Sequence, residues 1–455
     1  MHLAQYGTDI RRELLLDECL QGIGDRIRRN RPILLSYLLS GGALASAALS
    51  QLVTFAILAR SLGPAEFGLF VQISAVTAVA IQLCGLGASD CLLRGLSRDP
   101  GSYARLLGHN LLLIGFSGGV LVIGGVAAMS SWSRIGSGPS VDMTTLALLF
   151  LGNVVLVRVI LLVETVFLGL GRVQAANRAV VGFALGRMVA AALGCLVFRV
   201  SSLADWALWQ CGGNLLYALV GAIWLSPLGR PRFAVLRAEL RSGLLFCSQF
   251  VGRAVRSNID LLAIGLFTSI ETVGSYGVAR RIIDSSYLAI DALNRLLYPR
   301  LARESRNGLH LALPIAKRAL IAALALGVLT GLTLFLLSST LPALFGRDYL
   351  DLPFFVRCLS GTIVLIAAWA AAVDLLGASG RQDVRAWILN GANLLGSVVI
   401  AAATSQAAPL GTFIALYAVD GAIVLAAWLA LLRLARRSRS HAVALARASP
   451  VMTGP

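Results

Sequence analysis

Residues 243–268 read GLLFCSQFVGRAVRSNIDLLAIGLFT, an apolar run long enough to cross a bilayer as one helix. Four polar residues recur in this run at positions i, i+4, i+7 and i+11, on one helical face: Gln249, Arg253, Arg256 and Asp260. A charge at bilayer depth costs from about 2.5 to over 10 kcal/mol, depending on the reference state. This face therefore lines protein or water, and it is the strongest indication of function in the sequence.

The whole chain has the composition of a membrane protein. Of its 455 residues, 57% are hydrophobic and 13% are charged, and the mean hydropathy is +0.80. Because each crossing needs about 20 apolar residues, we expect an all-α membrane protein with about twelve transmembrane helices. The predicted spans are residues 32–60, 69–93, 106–129, 143–170, 179–198, 205–228, 243–268, 274–298, 312–338, 353–378, 386–405 and 410–432.

The basic residues are distributed unevenly between the two sides of the membrane. With the N-terminus in the cytoplasm, 27 of the 39 Lys and Arg residues fall in cytoplasmic tails and loops or, for Lys317 and Arg318, near the cytoplasmic end of a span. Four fall on the opposite side, counting Arg60 at the end of the first span, and the rest lie deeper within spans. This distribution follows the positive-inside rule and predicts that both termini are cytoplasmic. The net charge of +17 thus reflects topology and attraction to anionic lipids, and we expect no nucleic-acid partner.

The segments outside the spans are short. Residues 1–31 show no signal peptide, and they form either an interfacial amphipathic helix or a solvated cytoplasmic tail. Residues 433–455 are a basic cytoplasmic tail. The loops on the opposite side hold no folded catalytic domain, which argues against a membrane glycosyltransferase or polymerase. We therefore expect that the protein is not an enzyme.

A weak internal repeat divides the chain. SLGPAEFGLF at 61–70 aligns with FTSIETVGSY at 267–276, an offset of 206 residues that pairs Gly68 with Gly274. Similarity at half length is typical of transporters built from two bundles. The repeat predicts two six-helix bundles of the same orientation, joined by a basic linker: residues 32–228, 229–242 and 243–432.

Further charges lie inside the predicted spans. In the eighth span, Arg280, Asp284, Tyr287 and Asp291 share one face at i, i+4 and i+7 spacings, with Arg281 and Arg295 beside it. Other spans hold Arg158, Glu164, Arg187, Arg357, Asp374 and Asp420. Together with Arg253, Arg256 and Asp260 of the seventh span, these residues amount to eight arginines and six carboxylates, a net charge of +2. Each arginine is either half of an ion pair between helices or part of a cavity for an anion, since guanidinium groups match phosphate oxygens.

Six motifs resemble a known family. ARSLGPAEFGLF (59–70), GLGASDCLLR (85–94), RSNIDLLAIG (256–265), VGSYGVARRI (273–282), YPRLA (298–302) and LFGRDY (344–349) resemble the Wzx-like, polysaccharide-biosynthesis branch of the multidrug/oligosaccharidyl-lipid/polysaccharide (MOP) exporters. The resemblance implies two bundles in a V around a central cavity. It also implies a flippase that moves an undecaprenyl-pyrophosphate-linked oligosaccharide across the bacterial inner membrane by alternating access.

The resemblance and the intramembrane charges together predict a binding site. We expect the pyrophosphate to be held by Arg253, Arg256, Arg280 and either Arg187 or Arg158. The family's carboxylate in the seventh span matches Asp260, and Arg253 and Arg256 match its cavity arginines. The i, i+4 spacing of Arg256 and Asp260 predicts that these two neutralise each other.

The remaining carboxylates suggest counter-charge or ion coupling. Asp260, Asp284, Asp291 and Glu164 are the candidates for pairing with the cavity arginines or for coupling to H⁺ or Na⁺. No metal-ligand spacing and no P-loop motif are present, so we expect no bound cofactor and no direct use of ATP. The expected partners are the lipid-linked oligosaccharide, membrane lipids, and a polysaccharide polymerase and glycosyltransferases of the same pathway.

Three other functions remain open on the sequence alone. A cation-coupled multidrug exporter of the same superfamily would need carboxylates and aromatic groups for cationic substrates, whereas these spans have an excess of arginine. The second is a membrane glycosyltransferase or polymerase, and the third is a scaffold that binds partners through its spans. The product, whether O-antigen lipopolysaccharide, capsule or exopolysaccharide, has no signature in the sequence.

Overall fold

The computed structural model describes residues 2–135, 141–305 and 309–448, with side chains for most residues between 41 and 438. Within these ranges the chain is helical and has no β-strand. The helices are α1 His2–Leu83, α2 Ala88–Arg98, α3 Tyr103–Ile135, α4 Met143–Phe150, α5 Val157–Gly169, α6 Val173–Ala192, α7 Leu203–Leu225, α8 Arg237–Phe267, α9 Ile270–Ser286, α10 Leu288–Ser305, α11 Leu309–Leu337, α12 Leu341–Phe345, α13 Leu352–Ser360, α14 Thr362–Ala378, α15 Gln382–Ala407 and α16 Leu410–Ala448. The side chains of the proposed amphipathic segment lie outside the described residues.

The helices follow the predicted spans. In the described ranges, nine helical segments are long and apolar enough to span a membrane. The first of these is broken at Gly63, where φ is +72°, so it covers the first two predicted spans. The charged α8 and the α9–α10 pair coincide with the seventh and eighth predicted spans and are not among the nine segments. The predicted all-helical membrane fold is therefore confirmed.

The second predicted span, residues 69–93, ends earlier than expected. The helix stops at Leu83, and Gly85, Leu86 and Gly87 all have positive φ, at +79°, +49° and +73°. Because left-handed residues terminate a helix, the chain turns here before α2 begins. The turn lets Gly87 approach the other half of the molecule, where an added Cβ would overlap the carbonyl group of Gly243.

The two bundles, α1–α7 and α8–α16, meet at two regions. In the first, the glycines paired by the repeat lie against each other: a Cβ on Gly68 would overlap the carbonyl of Ile270, and one on Gly274 would crowd that of Pro64. Nearby, the Tyr349 hydroxyl donates a hydrogen bond of 2.8 Å across the bundles. Its acceptor is a carbonyl near the end of the first crossing, that of Ala59.

The second contact region joins the turn at 84–87 and α2 to the start of α8. Besides the approach of Gly87 to Gly243, Arg94 forms an ion pair of 3.2 Å with Glu239. The linker before α8 is held to the first bundle, since the Leu236 amide donates to Nδ1 of His109 at 3.2 Å. The bundles also leave a partly open space between them.

Substituting Gly68 tests the close approach of the bundles. We expect Gly68→Ala to lower the free energy of unfolding by about 1–3 kcal/mol, because the new methyl group has no room. The matched control is Gly119→Ala in α3, where nothing lies within 4 Å of an added Cβ. That variant should be neutral or slightly stabilising. Thermal unfolding in detergent measures both, and equal melting temperatures would contradict the packing described here.

Candidate functional site

A cavity of about 300 Å³ lies between the bundles. The first bundle lines it from α1, α6 and the segment that joins α4 to α5, and the second bundle lines it from α8 and α9. Four charged residues face this space: Arg187, Arg280, Arg281 and Asp284. These four residues carry a net charge of +2, which is complementary to the charge of an anion.

Arg280 is held by two carboxylates. Its Nε lies 3.3 Å from Oδ2 of Asp260, and its Nη1 lies 3.7 Å from Oδ1 of Asp284. The Tyr276 hydroxyl also donates to Oδ2 of Asp260 at 2.7 Å. The Asp260 side chain is 1% exposed, whereas that of Asp284 is 49% exposed. Arg280 therefore contacts the buried Asp260 through Nε, and through Nη1 it contacts Asp284, which is half-exposed and lines the cavity.

The predicted pairing of Arg256 with Asp260 is wrong. Arg256 instead forms an ion pair of 2.9 Å with Asp420 of α16, and both side chains are largely buried within the second bundle. The reason is tertiary packing: α9 brings Arg280 and Tyr276 to Asp260, while α16 brings a carboxylate to Arg256. The spacing along α8 alone does not determine these ion-pair partners. Arg256 does not line the cavity.

Two cavity arginines lack a carboxylate partner. In the described part of the chain, neither Arg187 nor Arg281 has an acidic group within 4.0 Å. Each guanidinium instead lies over an aromatic ring, Arg187 over Phe183 at 5.7 Å and Arg281 over Phe55 at 4.8 Å. Phe55 belongs to the first bundle, so the second of these contacts crosses between the bundles.

Arg281 was missing from the predicted site because it lies beside the polar face of its span, not on it. A signal was available in the adjacent arginines 280 and 281, two cations in one apolar span that cannot both face one carboxylate. The two unpaired arginines come from opposite bundles, and their charges repel each other. An anion between them would relieve this repulsion.

Other predicted residues lie outside the cavity lining. Arg253 is exposed and one turn from the cavity residue Ser257, on the same side of α8. Arg158 lies beneath the turn at 84–87, where its buried Nε has no hydrogen-bond partner. Glu164 in α5 and Asp291 in α10 do not line the cavity either. Their predicted parts in binding or coupling stay predictions.

Uncharged polar groups also line the cavity. Gln51 and Ser74 project from α1, and Asn153 projects from a π-helical turn, Leu151–Leu156. The sequence of this turn, LGNVVL, carries no signal of its geometry. The charged groups of the cavity thus come from α9 and from Arg187 of α6, and we call the uncharged polar groups of α1 and the π-helical turn its neutral wall.

The buried ion pair of Arg256 and Asp420 gives a direct test of its role. Asp420→Ala should destabilise the protein by about 3–5 kcal/mol, because it leaves a buried cation without a partner. The double variant Arg256→Met with Asp420→Leu should recover most of that loss, since it removes both charges. Thermal unfolding in detergent measures the recovery. A double variant as unstable as the single one would show that the pair has another function.

A family model described as polysaccharide biosynthesis protein matches residues 36–304. No curated protein sequence gives a significant match. Among solved structures, the chain is similar to the lipid II flippase MurJ in an inward closed conformation, with a TM-score of 0.68 and 13% identity, covering 88% of this chain and 90% of that one.

Two multidrug transporters share the same fold. One is a MATE family transporter of the MOP superfamily in an inward-facing conformation, with a TM-score of 0.65 and 17% identity, covering 89% of this chain and 96% of that one. The other is the MATE multidrug transporter DinF-BH, with a TM-score of 0.59 and 13% identity, covering 87% of this chain and 94% of that one.

Proposed function

Since the chain belongs to the polysaccharide biosynthesis protein family, we propose that it translocates an undecaprenyl-pyrophosphate-linked oligosaccharide across the bacterial cytoplasmic membrane. The protein is a multi-pass membrane protein with the fold of the MOP transporters. Glycosyltransferases that build the oligosaccharide would act before it, and a polysaccharide polymerase would act after it. In the orientation that the basic residues predict, both termini are cytoplasmic.

The two unpaired arginines of the cavity carry the proposal. Arg187 and Arg281 approach one space from opposite bundles, and a pyrophosphate offers enough oxygen atoms for both guanidinium groups. The aromatic rings beneath them keep the guanidinium groups in place when the site is empty. Arg280, next to Arg281 in α9, supplies a third cation. The lipid chain stays in the bilayer, because only the headgroup finds polar partners in the cavity.

Translocation then follows from movement of the bundles against each other. An anion shared by Arg187 and Arg281 replaces the repulsion between them with attraction to a common ligand, which draws the bundles together around the headgroup. Opening on the other side requires the contacts of the Gly68 and Gly274 region to separate, including the hydrogen bond from Tyr349 to Ala59. Release of the anion restores the repulsion and returns the cavity to its empty state.

Asp284 is the residue best placed for coupling to H⁺. It is the most exposed carboxylate of the cavity and it shares Arg280 with Asp260. Protonation of Asp284 would free the Nη1 group of Arg280 for the substrate, so proton binding and anion binding would favour each other. Asp260 remains the permanent partner of Arg280 in this scheme.

A cation-coupled multidrug exporter is the alternative with a specific basis, since MATE transporters share the fold. Its cationic substrate would meet Arg187 and Arg281 without a free carboxylate, because Asp284 already contacts Arg280. A membrane glycosyltransferase would need a general acid or base beside a donor site. The charge of the cavity therefore supports an anionic substrate.

Reconstitution in liposomes tests the proposal. The wild type should move a fluorescent undecaprenyl-pyrophosphate oligosaccharide between leaflets, as detected by a quencher that reaches only the outer leaflet. Arg281→Gln should slow this movement by about ten- to a hundredfold, because each hydrogen bond to a charged group contributes about 1.5–3 kcal/mol.

The matched control is Arg357→Gln in α13. Arg357 is also an intramembrane arginine over an aromatic ring, Phe335 at 5.8 Å, and its Nε donates to Ser338 at 2.8 Å, but it does not line the cavity. This variant should translocate at close to the wild-type rate. Absence of translocation by the wild type, or equal effects of the two substitutions, would refute the proposed site.

A further inference from the structure

We infer that the neutral wall of the cavity is a subsite for the sugar attached directly to the pyrophosphate, with Asn153 as its main hydrogen-bond donor. The inference rests on the proposed function and assigns a second part of the substrate to a second part of the cavity. The charged groups come from α9 and from Arg187 of α6, whereas α1 and the π-turn contribute Gln51, Ser74 and Asn153, which are polar and uncharged. A ligand with an anionic end and a hydroxyl-rich end matches both sets of groups.

The π-turn that carries Asn153 is braced by α7. A π-turn inserts one extra residue and disturbs the regular helical hydrogen bonds, and such turns are frequent at functional sites. Here Asn214 donates to the carbonyl of Gly152 at 3.1 Å, and Gln210 donates to Oδ1 of Asn153 at 2.8 Å. Both α7 residues are buried and lie one turn apart. They hold the turn at Gly152 and at Asn153, and so they set the position of the Asn153 side chain in the cavity.

The brace also determines what Asn153 offers to a ligand. Because Gln210 occupies its Oδ1, the Nδ2 group is left to donate, and no hydrogen bond in the described part of the chain uses it. The side chains of Gln51 and Ser74 likewise make no hydrogen bonds among the described residues. Amide and hydroxyl groups pair well with sugar hydroxyl and acetamido groups, whereas the oxygens of a pyrophosphate pair more strongly with the arginines.

The size of the cavity restricts this subsite to the first sugar. At about 300 Å³ it lies at the lower end of the range for ligand-binding sites. A pyrophosphate with one attached sugar suits this space, and the remaining sugars of a repeat unit would extend outside it. Asn153 and its neighbours would therefore bind the sugar that is linked to the pyrophosphate and would not contact the rest of the glycan. Gln210 acts as a positioning residue through Asn153.

The test compares affinities for two lipids in nanodiscs: undecaprenyl pyrophosphate, and the same lipid with one N-acetylated hexosamine. The wild type should bind the sugar-bearing lipid about five- to tenfold more tightly, as expected for one or two hydrogen bonds. Asn153→Ala should abolish this preference and leave the affinity for the sugar-free lipid within about twofold. Gln210→Ala should reduce the preference in the same way.

Two further variants make the test decisive. Gln51→Ala lies outside the π-turn and should also reduce the preference, so it carries the test if Asn153→Ala fails to fold. Tyr217→Phe removes a hydrogen bond of 3.0 Å to Ala179 within the first bundle, outside the cavity lining, and should change neither affinity.

The outcomes separate the two hypotheses. A wild type that binds both pyrophosphate lipids without preference, or folded variants that weaken both equally, would overturn the sugar subsite and leave the proposed function standing. A wild type that binds neither lipid better than undecaprenol would overturn the proposed function itself.

Discussion

The cost of a charge inside the bilayer governs the arrangement of this protein. Each intramembrane arginine needs a partner that the surrounding lipid does not provide. Arg256 finds Asp420, and Arg280 finds Asp260 and Asp284. Among the described residues, Arg187 and Arg281 contact aromatic rings and have no carboxylate within 4.0 Å. These two arginines share one cavity between the two bundles, where a bound anion would balance their charge.

The arrangement of the membrane spans was predictable from the sequence, because a run of about 20 apolar residues is a strong local signal. The repeat that pairs Gly68 with Gly274 also had structural content, since these glycines meet where the bundles approach each other. The early end of the second span could also have been predicted from the sequence. The left-handed turn at 85–87 has the sequence GLG, and glycine favours that conformation.

The ion pairs could not be predicted from one helix. Arg256 and Asp260 satisfy the spacing rule for a helical pair, yet other helices supply closer partners to both. Such pairings depend on how helices pack, and a single sequence does not encode that locally. Arg281 lies beside the polar face of its span, and the packing of α9 against α1 places its guanidinium group over Phe55. The π-turn at 151–156 has one polar residue, Asn153, and its sequence carries no signal of the contacts that Gln210 and Asn214 make with it.

The central claim is that Arg187 and Arg281 bind one anion between the bundles. A double-mutant cycle on the affinity for undecaprenyl pyrophosphate in nanodiscs, with Arg187→Gln and Arg281→Gln singly and together, tests it most directly. If both guanidinium groups hold the same pyrophosphate, the double variant should lose less than the sum of the single losses, with a coupling energy above about 0.5 kcal/mol. Strictly additive losses, or no loss from either substitution, would contradict the shared anion.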